Sequence, residues 1–533
     1  MKTRKLTALL LCLLLIASCL LVACDQGGDD TSSGSTGTTS STDSGNNSGI
    51  DAKYLDANGR YWPSYSDSMS ESLIGDRTEI RVLVTSNEVE TTYYSEEIEP
   101  DMYPTTDATL NEAVRERNNL VSEKLGIEIK AVPVANVQET FRQEALAPTG
   151  MFDIAMPTFA SCAVLAQEGM FYDLRDFEDK GIIDLSAPWY DQNANESLSI
   201  QNRIYFTVSD MSIMHKINCF AMTYNPDLLS TKYPDLDLLQ LVVDGEWTLD
   251  KLYEIGRSFS GDADGDGQQI VAEGSDAHHP QNGDGQQNHT DNWGLVSGYN
   301  DVIHFYMASG ERLCTKDEND NPILAIGSDS SITVSQKILS MLEENNWVSF
   351  AQDLSNEGVT DIWNTSLAIF GEERAPFRVS VFSAIKKLRA YELDYGVIPM
   401  PKASADQDQY YTHASGGYGV VVPTHLNESD ANFAAYMIDV LSAGGKQYIA
   451  TAYYDQILKN KDALSDTSKE VDILDLIFEN IVYDVGYIYD MGGLRTLHAD
   501  LIADKSTDIV SALEAIRGQV TEKINQIVET YSK

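Results

Sequence analysis

Glu79-Ile-Arg-Val-Leu-Val-Thr85 alternates apolar and polar side chains and reads as a strand. Asp107 is placed to cap a helix in which Leu110, Val114, Val121 and Leu125 recur near the helical period, and Gly126 ends it. Ile127-Glu-Ile-Lys-Ala-Val132 reads as a second strand. A further helix from Val137 to Leu146 leads to a third strand, Phe152-Asp-Ile-Ala-Met156. Strand, helix, strand, helix, strand is the signature of an open α/β layer with right-handed crossovers. Ligands bind such sheets beyond the carboxyl ends of the strands. Ser86-Asn87-Glu88 and Pro157-Thr158-Phe159 stand at those ends, where the plain alternative is a solvated loop.

Upstream of this layer, Lys2, Arg4 and Lys5 precede an almost unbroken apolar run from Leu6 to Val22. A basic start, an apolar run and small residues before a cut site describe a secretory signal over residues 1–23. Leu21-Val22-Ala23-Cys24 resembles the bacterial lipobox, whose cysteine receives diacylglycerol. Ile16-Ala17-Ser18-Cys19 also fits, but cutting there would leave Leu-Leu-Val-Ala on the mature end. From Asp25 to Gly49 the chain is, apart from Gln26, Ser, Thr, Gly, Asn and Asp, without an aliphatic side chain. Such a composition does not bury enough apolar surface to offset ordering entropy. Residues 24–60 are therefore expected to be a lipidated N-terminus and flexible tether.

The formal net charge is −45, and losing Lys2, Arg4 and Lys5 with the signal makes it −48. Nucleic acid is excluded as a partner, since phosphate binding needs basic patches. Adhesion to anionic lipid beyond an acyl anchor is disfavoured for the same reason. Cys162, Cys219 and Cys314 remain after Cys12, Cys19 and Cys24 are set aside, so at most one intramolecular disulfide can form.

Several blocks together resemble the extracellular solute-binding lipoproteins of carbohydrate ABC importers, the maltose-binding-protein-like group. They are Met151-Phe-Asp-Ile-Ala-Met156 with Leu165-Ala-Gln-Glu-Gly-Met-Phe-Tyr-Asp-Leu174; Pro188-Trp-Tyr-Asp191, Asn202-Arg-Ile-Tyr-Phe206 and Met222-Thr-Tyr-Asn-Pro226. Gly245-Glu-Trp-Thr-Leu249, Asp262-Ala-Asp-Gly-Asp-Gly267, Asn292-Trp-Gly-Leu295 and Tyr395-Gly-Val-Ile-Pro-Met-Pro-Lys402 follow, then Ala452-Tyr-Tyr454 with Leu458-Lys-Asn-Lys461. Their order spans nearly all of residues 78–533, with an insertion between Gly267 and Asp291. The resemblance implies an α/β, two-lobed periplasmic-binding-protein-like fold, each lobe an open sheet flanked by helices, with a central ligand cleft. Lobe one would be 77–213 plus 397–443, and lobe two 214–396 plus 444–533. Helical periodicity at Ser331–Asn346 and Ser506–Lys533, and an extended pattern from Gly371 to Ser383, agree with that plan.

The implied function is extracellular capture of a small solute, most simply a sugar or oligosaccharide, by a monomer anchored to the outer face of the membrane by lipid alone. Delivery would be to the permease subunits of an ABC importer. By the same resemblance, Glu88, Thr158, Phe159, Asp210 and Asn218 face the cleft from one side. Tyr299, Asp301, Arg378 and Phe382 face it from lobe two, with Tyr418 and Tyr489 on the returning segments. The plain alternative for each aromatic is core packing, and for each charge a solvated turn. Glycines beside Tyr299 and Tyr418 are expected to leave room for a ligand.

Asp262, Asp264, Asp266, Gln268 (through its carbonyl) and Glu273 occupy positions one, three, five, seven and twelve of a calcium loop, with Gly267 at six. The expected ion is a structural Ca2+; Asp291 is an alternative closing ligand, and an Asp-Gly turn on an acidic surface is the plain reading. His278, His279 and His289 lie in a Gly/Asn/Gln-rich insertion and read as a solvated loop. Enzymatic motifs are missing. There is no His-Glu-x-x-His, Gly444-Gly445-Lys446-Gln447 lacks the spacing of a phosphate loop, and His413-Ala-Ser-Gly-Gly417 is not a serine elbow. The chain is expected not to be an enzyme and to need no catalytic cofactor. A surface-anchored polysaccharide-acting enzyme and a ligand-presenting sensor subunit remain as alternatives, since fold alone does not fix function.

Overall fold

The computed structural model describes residues 51–88, 92–261, 263, 291–344, 347–356, 359–454 and 467–532. Strands β1 (Glu79–Thr85), β2 (Glu128–Val134) and β3 (Ile154–Ala155) form a parallel sheet in the order β2-β1-β3. Glu79 pairs with Glu128 and Thr85 with Val134, and Val82 with Ile154. The intervening helix runs Ala108–Leu125. The Asp107 carboxylate accepts from the Thr109 and Leu110 amides, and Gly126 ends the helix at φ 70°, a backbone region that glycine adopts without a Cβ clash. The helix Val137–Leu146 follows as its pattern predicts.

The second sheet has five strands, β4 (Phe220–Tyr224), β5 (Leu295–Ser297), β8 (Val348–Phe350), β9 (Phe377–Val381) and β10 (Gly396–Ile398), in the order β10-β4-β9-β5-β8. β6 (Cys314–Lys316) and β7 (Pro322–Leu324) form a separate hairpin, and β11 (Thr412–His413) runs parallel to β12 (Ile481–Val482). Within the extended stretch expected from Gly371 to Ser383, only Phe377–Val381 is strand. Gly371 closes the helix Ile362–Gly371, and Phe382–Ile385 is a helical turn. The late helices run Asp329–Glu343 and Ile509–Tyr531.

After β10 the chain returns to the first sheet. Val421 bridges Ala155, Tyr418 bridges Thr158 and Val420 bridges Thr207. One apolar core wraps the three-stranded sheet with the helix Glu428–Gly444. The other fills the five-stranded sheet and continues without a break onto Leu83, Phe141, Phe152 and Phe159. The two lobes are thus welded along one side and separated along the other.

Local packing explains the Gly444-Gly445-Lys446 run. A Cβ on Gly445 would lie 2.0 Å from the Asp210 carbonyl oxygen, and one on Gly444 2.8 Å from the Arg117 side chain. These glycines let a helix approach backbone; they do not cradle phosphate. Cys162, Cys219 and Cys314 are free and buried. No helix among the described residues is long and apolar enough to cross a membrane.

Candidate functional site

Where the two sheets part, a cleft of about 400 Å³ opens. β4 contributes Phe220 and β9 contributes Arg378, Val379 and Val381. The turn after β5 adds Asn300 and Asp301, and the helix Ile362–Gly371 adds Trp363, Asn364 and Leu367. Ser383, Ala384 and Lys387 complete this wall, and Thr92 and Tyr93 are the described residues that come from the loop after β1.

Each of these side chains is placed by local chemistry. Asp301 folds back on its own turn, its carboxylate accepting from the Gly298 amide at 2.6 Å and the Ser297 hydroxyl at 3.3 Å. Burial lifts it to about 6, and the Arg378 charge opposes that rise. Arg378 is itself buried; its Nη1 donates to the Val379 carbonyl at 3.0 Å and to Ser380 Oγ at 2.9 Å. Its Nε is buried without a protein partner. Burial lowers its pKa, and Asp301 pulls the other way.

The Asp361 carboxylate caps the helix that follows it, accepting from the Asn364 amide. That sets Trp363 in the first turn, one turn before Leu367 on the same face, with 47% of the residue exposed. A Cβ on Gly298 would sit 3.0 Å from the Trp363 ring, so glycine at that turn lets the indole lie across it. Phe220 stacks flat on buried His304 at 3.5 Å between ring centres. His304 Nδ1 and His413 Nδ1 share a hydrogen bond of 2.8 Å, which requires one ring to donate and the other to accept. Burial holds both imidazoles below their ordinary range, His413 at about 3. Across the cleft, the Tyr93 hydroxyl meets Ser383 Oγ at 3.2 Å, and the Tyr93 carbonyl accepts from the Tyr418 hydroxyl at 2.6 Å.

Of the residues expected at the site from sequence, Asp301 and Arg378 line this cleft. Tyr299 turns aside: its amide donates to Gln352, its hydroxyl to the Asp353 carboxylate, and its ring packs on Phe350. Tyr418 is enclosed and touches the cleft through Tyr93, whose carbonyl accepts from its hydroxyl. Tyr489 is in the core, its hydroxyl bonded to that of Tyr531, and Phe382 is buried against Phe478. Phe159 fills the space beside Gly417, 2.5 Å from where a Cβ would stand, with Thr158 capping its helix. Asn218 donates to the Met214 carbonyl, and Glu88 lies exposed on the turn after β1.

Asp210 is bound into an ion cluster, with Lys216 at 2.6 Å and Lys446 at 3.6 Å. Burial opposes its charge, but the two ammonium groups outweigh it and hold the carboxyl at about 2. Cys24, Asp262, Asp264, Asp266, Gln268 and Glu273 lie outside the described residues, as do His278, His279 and His289. At the base of that insertion Gly261 and Asn292 pair, and the Asp291 carboxylate accepts from the Ala263 amide at 3.0 Å.

Sequence reasoning missed Trp363, Tyr93, Phe220 and Lys387. Ile362-Trp363 followed by Leu367 and Phe370 looks like one apolar stripe. The available signal was that Trp363 stands in the first turn, beyond the part of the helix that packs on the sheet.

A second cavity, of about 550 Å³, lies beside the helix Glu428–Gly444 among Tyr54, Tyr65, Trp189 and buried Asp439. Three donors, Tyr65, Trp189 and Tyr190, already converge on that carboxylate.

No protein-family model and no curated relative matches the sequence. Among solved structures the chain is similar to a cyclo/maltodextrin-binding protein complexed with maltotetraose. That likeness has 14% identity and a TM-score of 0.51, covering 84% of this chain and 98% of that one. It is also similar to UgpB from Mycobacterium tuberculosis in complex with glycerophosphocholine, at 12% identity and a TM-score of 0.50, covering 85% and 99%. These likenesses establish the two-lobed binding-protein fold.

Proposed function

We propose that this two-lobed protein captures a small solute outside the cell, a sugar or oligosaccharide, and delivers it to an ABC importer. The observation that carries the reading is the cleft between the two sheets. It combines a half-exposed indole, a stacked phenylalanine and a few polar side chains, Asn300, Asn364, Asp301 and Arg378. Sugars present apolar C–H faces and a rim of hydroxyls, and flat rings beside donors and acceptors are what such a surface needs. Clefts between lobes are favoured small-molecule sites, and hinge closure around the solute is the ordinary transition. The maltotetraose complex of a protein with this fold supports the choice of ligand class. The protein binds without turnover and works as a monomer. Calorimetric screening of a glycan panel should find one binder, and uptake of that glycan should require the protein. Hydrolysis of the bound glycan would replace this reading with an enzymatic one.

The sequence extends the proposal at two places. Cys24 carries the lipid anchor, supported by Leu21-Val22-Ala23 before it and the polar tether behind it. Cys24→Ser should release the protein from the membrane fraction; unchanged retention moves the site to Cys19. Residues 262–273 hold a structural calcium ion, supported by their ligand spacing. A melting temperature indifferent to both calcium and chelator removes that site.

A further inference from the structure

The cleft carries more positive charge than the fold needs. Arg378 stands on a strand with neighbours on both sides, β4 and β5, where an ionised group is costly unless paired. Among the described residues no carboxylate forms an ion pair with it. Its two protein hydrogen bonds use one terminal nitrogen, and its Nε is left over. Asp301 is near enough for its charge to be felt, but the Gly298 amide and the Ser297 hydroxyl already donate to its carboxylate. Lys387, exposed at the rim, has no acidic partner among the described residues either. Among the described lining residues, two cations and one acid leave one charge positive, in a chain whose formal charge is −45.

An uncharged solute would leave that balance standing. A carboxylate would cancel it, and a guanidinium fork meets a carboxylate through paired N–H donors better than any other side chain. Beside these cations lies the exposed face of Trp363, which suits the C–H face of a pyranose. The volume, about 400 Å³, is at the lower end of the range of about 300–1,000 Å³ usual for small-molecule clefts. A short ligand fits and a long polymer does not.

We infer that the solute is an acidic sugar, a hexuronate or a short uronic-acid oligosaccharide, with one carboxylate on Arg378 and Lys387 and its ring over Trp363. The inference rests on the sugar-binding reading and specifies its substrate class. Direct hydrogen bonding of the carboxylate by Arg378 makes this residue the specificity determinant, while Lys387 contributes through charge.

The test is calorimetry on the mature chain in detergent with four probes: digalacturonate, its neutral counterpart digalactose, galactose 1-phosphate and glycerophosphocholine. Digalacturonate should bind at least roughly tenfold more tightly than digalactose, the scale of one charge-assisted contact, and its affinity should fall with added salt. Arg378→Gln should collapse the preference for the acid over the neutral sugar. Should that variant fail to fold, Lys387→Gln, at an exposed position, should lower the preference by roughly threefold and flatten the salt dependence. Equal or tighter binding of digalactose overturns the acidic-sugar inference and leaves sugar capture standing. Binding of either phosphate probe alone assigns the cations to phosphate and overturns the carboxylate. Silence from all four, with a neutral glycan found elsewhere in the panel, also overturns it; silence across the whole panel overturns the sugar reading itself.

Discussion

The two walls of the cleft are built on different principles. Among the described residues, the wall that rises from the five-stranded sheet holds every charge of the lining and the indole: Asp301, Lys387, Arg378 and Trp363. Among the described residues the opposite wall offers Thr92 and Tyr93, both neutral, from a loop held in part by the Tyr418 hydroxyl. On the proposed function, one wall recognises the solute before closure, while the other covers it and meets the first through the hydrogen bond between Tyr93 and Ser383. A recognition surface that sits on sheet and helix is already ordered, so little entropy is lost in arranging it.

That inequality can be broken most sharply at Arg378. Arg378→Gln should cost about 2–3 kcal/mol of solute binding, the worth of a charged hydrogen bond, measured by calorimetry; a loss under about 0.5 kcal/mol would make the charged wall decorative. Next in size is the seam beneath Phe220. In the unfolded chain His413 titrates near 6.5. In the folded protein burial, with Arg312 and Arg495 adding to it, holds it at about 3. The unfolded state therefore binds more protons between these values, and stability is lost as pH falls from about 6.5 toward 3. The loss from this one group reaches about 2 kcal/mol at pH 5.

Buried Glu97 and Asp439, both lifted to about 7, run the opposite way, losing stability as pH rises from the ordinary carboxylate range toward 7. The measurement is therefore a difference, wild type against His413→Gln by urea unfolding at pH 5 and 7.5. The variant should lose less stability on acidification, and identical losses would remove His413 from the account. Trp363→Ala should weaken binding by about 1–2 kcal/mol, as a stacking face does. Its melting temperature should barely move, because the ring is half exposed. The smallest effect belongs to the covering wall: Tyr93→Phe should cost about 0.5 kcal/mol of binding or less, the low end for one hydrogen bond. If it costs more than Trp363→Ala, the assignment of roles to the walls is reversed.

The fold was legible wherever the determinants are local. Asp107 announces its helix three residues before Leu110, Gly126 ends it, and β1 and β2 carry their alternation openly. The order of the sequence blocks brought Asp301 and Arg378 to the cleft, since Asp301 follows β5 and Arg378 lies within β9, neighbouring strands of the second sheet. The aromatic residues were harder, for a reason visible at the glycines. Gly417 does make room beside Tyr418, but the Phe159 ring takes it; Gly298 makes room beside Tyr299, and the Trp363 ring takes it. Whether space next to a glycine serves a ligand or a neighbouring ring depends on segments more than 60 residues away in both cases, and no local pattern encodes that choice. The same holds for Tyr489, whose hydroxyl finds its partner on the final helix.

The three enclosed thiols have a practical consequence. Burial raises the pKa of Cys162, Cys219 and Cys314 alike, so almost none is thiolate at neutral pH and none is reachable. Among the described residues the folded protein is therefore silent toward maleimides. A cysteine introduced at an exposed position would be the one to take a dye, and a pair of dyes, one on each wall, would turn closure over a solute into a change of energy transfer.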